Sequence, residues 1–199
     1  MNRGAIILCG GRSARMGRDK ATLPIGGETL LQRVAGRLES VIPRDHIVVV
    51  AAKHQELPPL APGIRLAFDQ IPGRGPLEGL STGIAMLPPG IETAFVTGCD
   101  APFLEPAFIQ TMFDRLGDFE IAVPVDDSCS YGLAAVYRAT VRSRVEQLLA
   151  ANRFRVRDLF ECCETNRVSV HDLRRIDPHL KSLINLNTPD AYQRVLGMI

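Results

Sequence analysis

The chain has no tryptophan, and only three tyrosines and eight phenylalanines in 199 residues. So few rings argue against a base-stacking platform of the RNA-binding kind. An excess of either charge is missing as well. The net charge is +1, so no overall field draws the protein onto nucleic acid or a membrane surface. Long apolar runs are absent: the stretch Ala5 to Cys9 is shorter than a signal-peptide core, and a membrane span needs about 20 apolar residues. The five cysteines (Cys9, Cys99, Cys129, Cys162 and Cys163) show no C-x-x-C spacing, which leaves a zinc knuckle or a thioredoxin-type motif without support. Unpaired thiols in odd number fit a reducing compartment, and a cytoplasmic protein is expected. His46, His54, His171 and His179 have no paired ligand spacing and read as structural residues.

What is present is globular. The 46% apolar and 23% charged residues are ordinary for a packed domain, and a chain of this length buries roughly 70% of its unfolded surface. No linker divides it, so residues 1–199 read as one domain. Buried strands are predicted at Ala5–Leu8, His46–Ala51, Ile64–Phe68 and Thr93–Thr97, with further strands at Glu120–Val123, Leu133–Tyr137 and Arg167–Val170. Helical periodicity covers Thr29–Ser40, Gly79–Leu87, Leu104–Leu116, Val141–Ala151 and Phe154–Glu161. Thr188-Pro189-Asp190 marks a last helix start. Continuous apolar strands alternating with helices predict an α/β fold of three layers around a mostly parallel central sheet. Ligands of such sheets bind beyond the carboxyl ends of the strands. The loop after Leu8, Asp69 and Asp100 all fall there.

The loop after Leu8 reads Cys9-Gly10-Gly11-Arg12-Ser13-Ala14-Arg15-Met16-Gly17-Arg18-Asp19-Lys20. It is neither a Walker A loop nor G-x-G-x-x-G. Its glycines let backbone N–H groups approach a phosphate, and its cations offset the phosphate charge. Arginine outnumbers lysine 20 to 3, so a lysine placed here stands out from the general surface cations. The residues point to phosphate binding. A strand-end aspartate such as Asp100 suits Mg²⁺, which takes one or two carboxylates and completes its shell with phosphate and water; capping of the Leu104 helix is the alternative. Asp69 reads as a ligand group or a turn former.

The pattern L-x-G-G-x-S-x-R-M-G-x-D-K resembles the signature of the molybdenum cofactor guanylyltransferase (MobA) family. Gly75-Pro76-Leu77-Glu78-Gly79 is similar to that family's G-P-L-x-G loop, Cys99-Asp100-Ala101-Pro102-Phe103 to its C-D-x-P-F site, and Asn185-Leu186-Asn187-Thr188-Pro189 to its N-x-N-T-P segment. The resemblance implies a Rossmann-like fold of nucleotidyltransferase type and transfer of GMP from GTP to the phosphate of molybdopterin cofactor, with release of pyrophosphate. It implies Mg²⁺ on Asp100, and Arg15, Lys20 and Asp100 as the catalytic set. Leu8, Cys9, Gly10, Gly11, Lys20, Asp69, Asp100, Asn185 and Asn187 would hold the nucleotide, with Leu8, Cys9 and Gly10 reading guanine through the backbone. Gly10 resembles the guanylyl enzymes, whereas cytidylyl relatives tend to carry Ala there. Asn185 and Asn187 alternate as strand residues do and would share one face, or they cap a turn.

Two departures stand out. Ala51 replaces the Asn that the family often has after its second strand, and Ser130 to Ala135 lacks the family's His-Pro or Pro-Leu-His element, which leaves acceptor recognition open. Arg138, Arg142, Arg144, Arg153, Arg155 and Arg157 form a basic stretch that reads as a solvated face or a phosphate receiver. Expected partners are GTP and molybdopterin cofactor, with no nucleic acid and no membrane, and transient contact with proteins that deliver or accept the cofactor. A monomer is expected. Two other readings stay open: a nucleotidyltransferase using CTP or another phosphorylated acceptor, and a GTP-binding module without turnover.

Overall fold

The computed structural model describes residues 2–10, 19–71 and 73–196. Nine strands and seven α-helices follow one another along these residues. They are β1 (Arg3–Leu8), β2 (Pro24–Ile25), β3 (Glu28–Thr29), α1 (Leu30–Glu39), β4 (Ile47–Ala51), β5 (Arg65–Phe68), α2 (Gly75–Met86), β6 (Thr93–Gly98), α3 (Pro106–Leu116), β7 (Ile121–Val125), β8 (Ala134–Arg138), α4 (Arg142–Ala150), α5 (Val156–Leu159), β9 (Thr165–Ser169), α6 (Val170–Leu173) and α7 (Pro189–Leu196).

Seven strands form one sheet in the order β5-β4-β1-β6-β8-β7-β9. β8 runs antiparallel to both its neighbours, and every other pairing is parallel. The period of two in the strands assigns each side chain to a face. Ile7, Val49, Phe95 and Val136 join α1 and α3 on one side. Ile6, Leu8, Val50, Val96 and Tyr137 join α2, α4 and α5 on the other. Both faces are therefore covered, as the unbroken apolar strands require. The expected three-layer α/β arrangement is what the structure shows.

Local signals explain most boundaries. Thr29 caps α1 through Gln32 N–H, and the Gln32 side chain accepts from Thr29 N–H in return, a reciprocal capping box. Pro106 opens α3 at a position where its missing N–H costs nothing. A β2–β3 hairpin adds to the strands expected from the sequence; its turn places Gly26 and Gly27 at φ 57° and 89°, a pairing that two glycines adopt without strain. Helix α2 begins at Gly75, not Gly79, so Gly75 to Gly79 is the opening of a helix and not a loop. Pro76 near its start is the reason.

The chain runs from β1 out to β4 and β5, then returns to β6 on the other flank of β1. That reversal opens a crevice at the carboxyl ends of β1 and β6, the usual ligand position in such sheets.

Candidate active site

On the β6 side of the crevice, Lys20 is the central cation. Asp19 fixes the turn that carries it, accepting from Ala21 N–H at 3.0 Å. Lys20 Nζ donates to Asp100 Oδ2 at 2.7 Å and to Asn187 Oδ1 at 2.8 Å. The ion pair is mostly shielded, with side-chain exposures of 18% and 16%, so its charges act through less water than a surface pair would. Asp100 stands two residues beyond the end of β6, and a Cβ on Gly98 would lie 2.5 Å from Asp100 Oδ1; only glycine lets the carboxylate fold back there. Asp100 also accepts from Leu186 N–H through its carbonyl at 2.9 Å, which draws the Asn185–Asn187 segment into the site. Asp100 does not cap α3: Glu105 precedes that helix, and its N–H goes to Ser182 Oγ.

On the β5 side the charges reverse. Asp69 continues β5 by donating its N–H to Ala51 O at 2.9 Å. Its carboxylate sits between two glycines: a Cβ on Gly10 would stand 2.8 Å from Oδ2, and one on Gly79 3.6 Å from Oδ1. Oδ1 is buried with no hydrogen-bond partner among the described residues. Burial, and then the nearby Glu78 carboxylate, push the Asp69 pKa up to about 6. Glu78 is itself buried and accepts from Ile71 N–H at 3.2 Å. Glu78 was not singled out in the sequence, although it lies inside the G-P-L-x-G match.

The floor between the two sides is backbone. The Leu8 carbonyl accepts from Cys99 N–H, and Cys9 N–H donates to Val50 O. The Cys9 carbonyl accepts from Gln55 Nε2 at 3.1 Å. These polar groups of Leu8 and Cys9 are thus engaged within the protein, and Gly10 follows them against the Asp69 carboxylate. The Cys9 thiol is held well above its usual pKa by a hydrogen bond with Cys99 and by burial, which marks it as an unreactive core thiol.

Asn185 and Asn187 do not share a strand face; they lie on an irregular segment before α7. Asn187 reaches Lys20, whereas Asn185 lines a separate cavity of about 190 Å³ with Ser130, Tyr131, Gly132 and Leu183. Asp126 stiffens the loop beside that cavity, accepting from Tyr131 Oη at 2.6 Å and from Ser128 and Cys129 N–H. Tyr131 foremost, then Ser128 and Cys129, hold the Asp126 carboxyl far below its usual range. The basic stretch is largely engaged elsewhere. Arg138 bonds the carbonyls of Phe119 and Gly117, Arg142 pairs with Glu146, Arg144 bonds Cys162 O, and Arg153 pairs with Asp158 and Glu161. Gly11 and Arg15 lie outside the described residues.

Comparison with known proteins decides the family. A model of the MobA-like NTP transferase domain matches residues 5–168. The chain belongs to that family. A Mycobacterium bovis protein named "Probable molybdenum cofactor guanylyltransferase" is 36% identical over 190 residues, covering 92% of this chain and 91% of the relative. A Pelotomaculum thermopropionicum protein of the same name is 33% identical, covering 92% and 87%. The crystal structure of molybdopterin-guanine dinucleotide biosynthesis protein A from Archaeoglobus fulgidus shares the fold, with a TM-score of 0.79 at 20% identity over 98% of this chain and 97% of that one. As a member of the MobA-like NTP transferase family, the chain is a nucleotidyltransferase. No helix among the described residues is long and apolar enough to cross a membrane.

Within a MobA-like site the donor set constrains any metal. The described residues contain no group of three or more His, Cys, Asp or Glu able to hold an ion, so a cage made only of protein is not offered there. One carboxylate, Asp100, set against a cleft with a shielded cation fits Mg²⁺, a metal that takes most of its ligands from phosphates and water.

Proposed function

We propose that this protein transfers GMP from GTP to the terminal phosphate of molybdopterin cofactor, forming the guanine dinucleotide and pyrophosphate. The observation that carries the reading is the Lys20–Asp100–Asn187 cluster at the end of β6. The names of the relatives support the choice of nucleotide and acceptor.

The chemistry needs little covalent help. A phosphate monoester with a second pKa near ~6 is largely dianionic at neutral pH, so its oxygen attacks the α-phosphorus without a general base. The new O–P bond forms as the bond to the β-phosphate bridge breaks, and the electron pair leaves on pyrophosphate. Asp100 would hold Mg²⁺ in this reaction. When bound, the metal supplies charge neutralisation on the phosphates. Lys20 neutralises the same charge from the protein side, and Asn187 keeps its ammonium aimed. Arg15 adds a second cation from the loop. The acidic pair Asp69 and Glu78 repels phosphate and leaves the β5 side to the uncharged nucleoside.

The test is pyrophosphate release with Mg²⁺ and each of the four NTPs, with and without molybdenum cofactor. Release from GTP alone, dependent on the cofactor, is expected. Preference for CTP, or turnover indifferent to the cofactor, would overturn the reading.

A further inference from the structure

In a parallel ladder, the N–H and C=O of one residue both bond to the same neighbouring strand, two residues apart. At the end of β1, Cys9 donates its N–H to Val50 O at 2.8 Å. The next rung would run from Ala52 N–H to Cys9 O. Instead the Gln55 carboxamide fills that place: Oε1 accepts from Ala52 N–H at 2.9 Å, and Nε2 donates to Cys9 O at 3.1 Å. A side-chain amide has been inserted into the ladder. The carboxyl ends of β1 and β4 part around it, and both backbone groups remain satisfied.

The insertion is held from its own backbone. Gln55 N–H donates to Ala52 O at 3.1 Å, closing a turn in which His54 takes φ 65°. It also borders the crevice: a Cβ on Gly10 would lie 3.8 Å from Ala52 N and 2.8 Å from Asp69 Oδ2. Ala51, fully buried, offers nothing polar at this point. Among the described residues Gln55 uses one of its two Nε2 hydrogens, on Cys9 O, and the other is available to a further acceptor.

We propose that Gln55 is a specificity-determining residue of the nucleoside half of the site: its carboxamide sets the Cys9–Gly10 peptide and gives its second N–H to the 6-oxo group of a purine. The inference rests on the reading that the crevice takes GTP with its phosphates toward Lys20. The partition of charge supports it. Lys20, paired with Asp100, lies on the β6 side, the carboxylates of Asp69 and Glu78 lie together on the β5 side with no cation paired to them among the described residues, and the neutral amide lies between, where it meets an uncharged part of the ligand. A donor at that point matches the O6 of guanine or hypoxanthine and opposes the amino group of adenine.

The experiment measures equilibrium binding of labelled GTP, ITP and ATP to the full chain and to Gln55→Met and Gln55→Glu, and of labelled CTP to the full chain, with thermal midpoints as the folding control. Gln55→Met should weaken GTP and ITP alike by about tenfold, the effect of one lost hydrogen bond, and leave ATP unchanged. Gln55→Glu keeps the acceptor for Ala52 N–H but loses the donor, and should shift the ratio further toward ATP. If Gln55→Met does not fold, Gln55→Glu carries the same ratio test. An unchanged GTP-to-ATP ratio, or equal loss for all three nucleotides at an unchanged midpoint, would overturn the proposal. A wild-type protein that binds none of the three, or that prefers CTP in the same assay, defeats the GTP reading itself and shows this without any variant.

Discussion

Lys20 Nζ lies 2.7 Å from Asp100 Oδ2 although 80 residues separate the two in the chain, and the same ammonium holds Asn187 from the far end of the sequence. Three distant segments converge on one charge. Removing either charged member leaves the other half-buried without its partner.

Lys20→Ala and Asp100→Ala should each lower kcat by about 10²–10³-fold, the scale of losing one stabilising group for developing charge. Asn187→Ala should cost about tenfold, and its effect should nearly vanish in the Lys20→Ala background, because it acts through the ammonium. Initial rates of pyrophosphate release check all three. Full additivity of Lys20→Ala and Asn187→Ala would separate the two residues.

Gly10→Ala tests why glycine stands there. The added Cβ meets Asp69 Oδ2 at 2.8 Å, closer than such contacts occur, so the carboxylate must move. GTP affinity is expected to fall by about tenfold, as for one hydrogen bond to a charged group. In the Asp69→Ala background the same substitution should cost little. A comparable loss in both backgrounds would place the cause in the backbone.

The pH dependence has a definite sign. Burial raises Asp69 in the folded protein to about 6, above the free carboxylate value near ~3.9. Ionisation therefore opposes folding: stability falls as pH rises from the unfolded value through about 6, and the loss is complete above that. Asp69→Asn should raise the thermal midpoint at pH 8 and leave it nearly unchanged at pH 4. The same variant should lose GTP affinity at pH 8, where the wild-type carboxylate is charged. The nucleotide's terminal phosphate titrates in the same region, so the diagnostic quantity is the wild-type limb near pH 6 that Asp69→Asn lacks. An identical pH profile in the variant would remove Asp69 from binding.

Gly83 addresses packing alone. A Cβ there would stand 2.5 Å from Ile6 Cγ2, deep in the α2 face of the core. Gly83→Ala should destabilise by about 1–3 kcal/mol through overpacking, partly offset by about 1 kcal/mol of helix propensity. Adding Ile6→Val should recover part of the loss in urea denaturation. A stabilised Gly83→Ala protein would show that α2 can move away from β1.

Legibility followed the range of the interactions. The apolar strands Ile6-Ile7 and Val48-Val49-Val50 announce their burial on both faces, and Thr29 with Gln32 announces a helix start, because those signals are local. Lys20 stood out through the scarcity of lysine. Pro76 reads as part of a loop although it opens a helix, since proline marks both. Asn185-Leu186-Asn187 imitates strand alternation, yet Leu186 is buried with Leu23, Ile25 and Leu30, and its N–H is drawn to Asp100. Glu78 and Gln55 were invisible for the opposite reason. Glu78 occupies the variable position of G-P-L-x-G and Gln55 lies in no motif, and their roles come from Asp69 and Cys9 across the sheet edge.

The third apolar cluster joins Leu186, Tyr192 and Val195 to Leu23, Ile25 and Leu30, and the Tyr192 hydroxyl closes on the Pro24 carbonyl. Residues translated early are thus clasped by residues translated late. During synthesis β1, β4, β5 and β6 can pair as they leave the ribosome, before the Asn187 segment exists. Lys20 gains its Asn187 partner only once that segment has been made, so a chain halted before it would lack the contact that aims the ammonium.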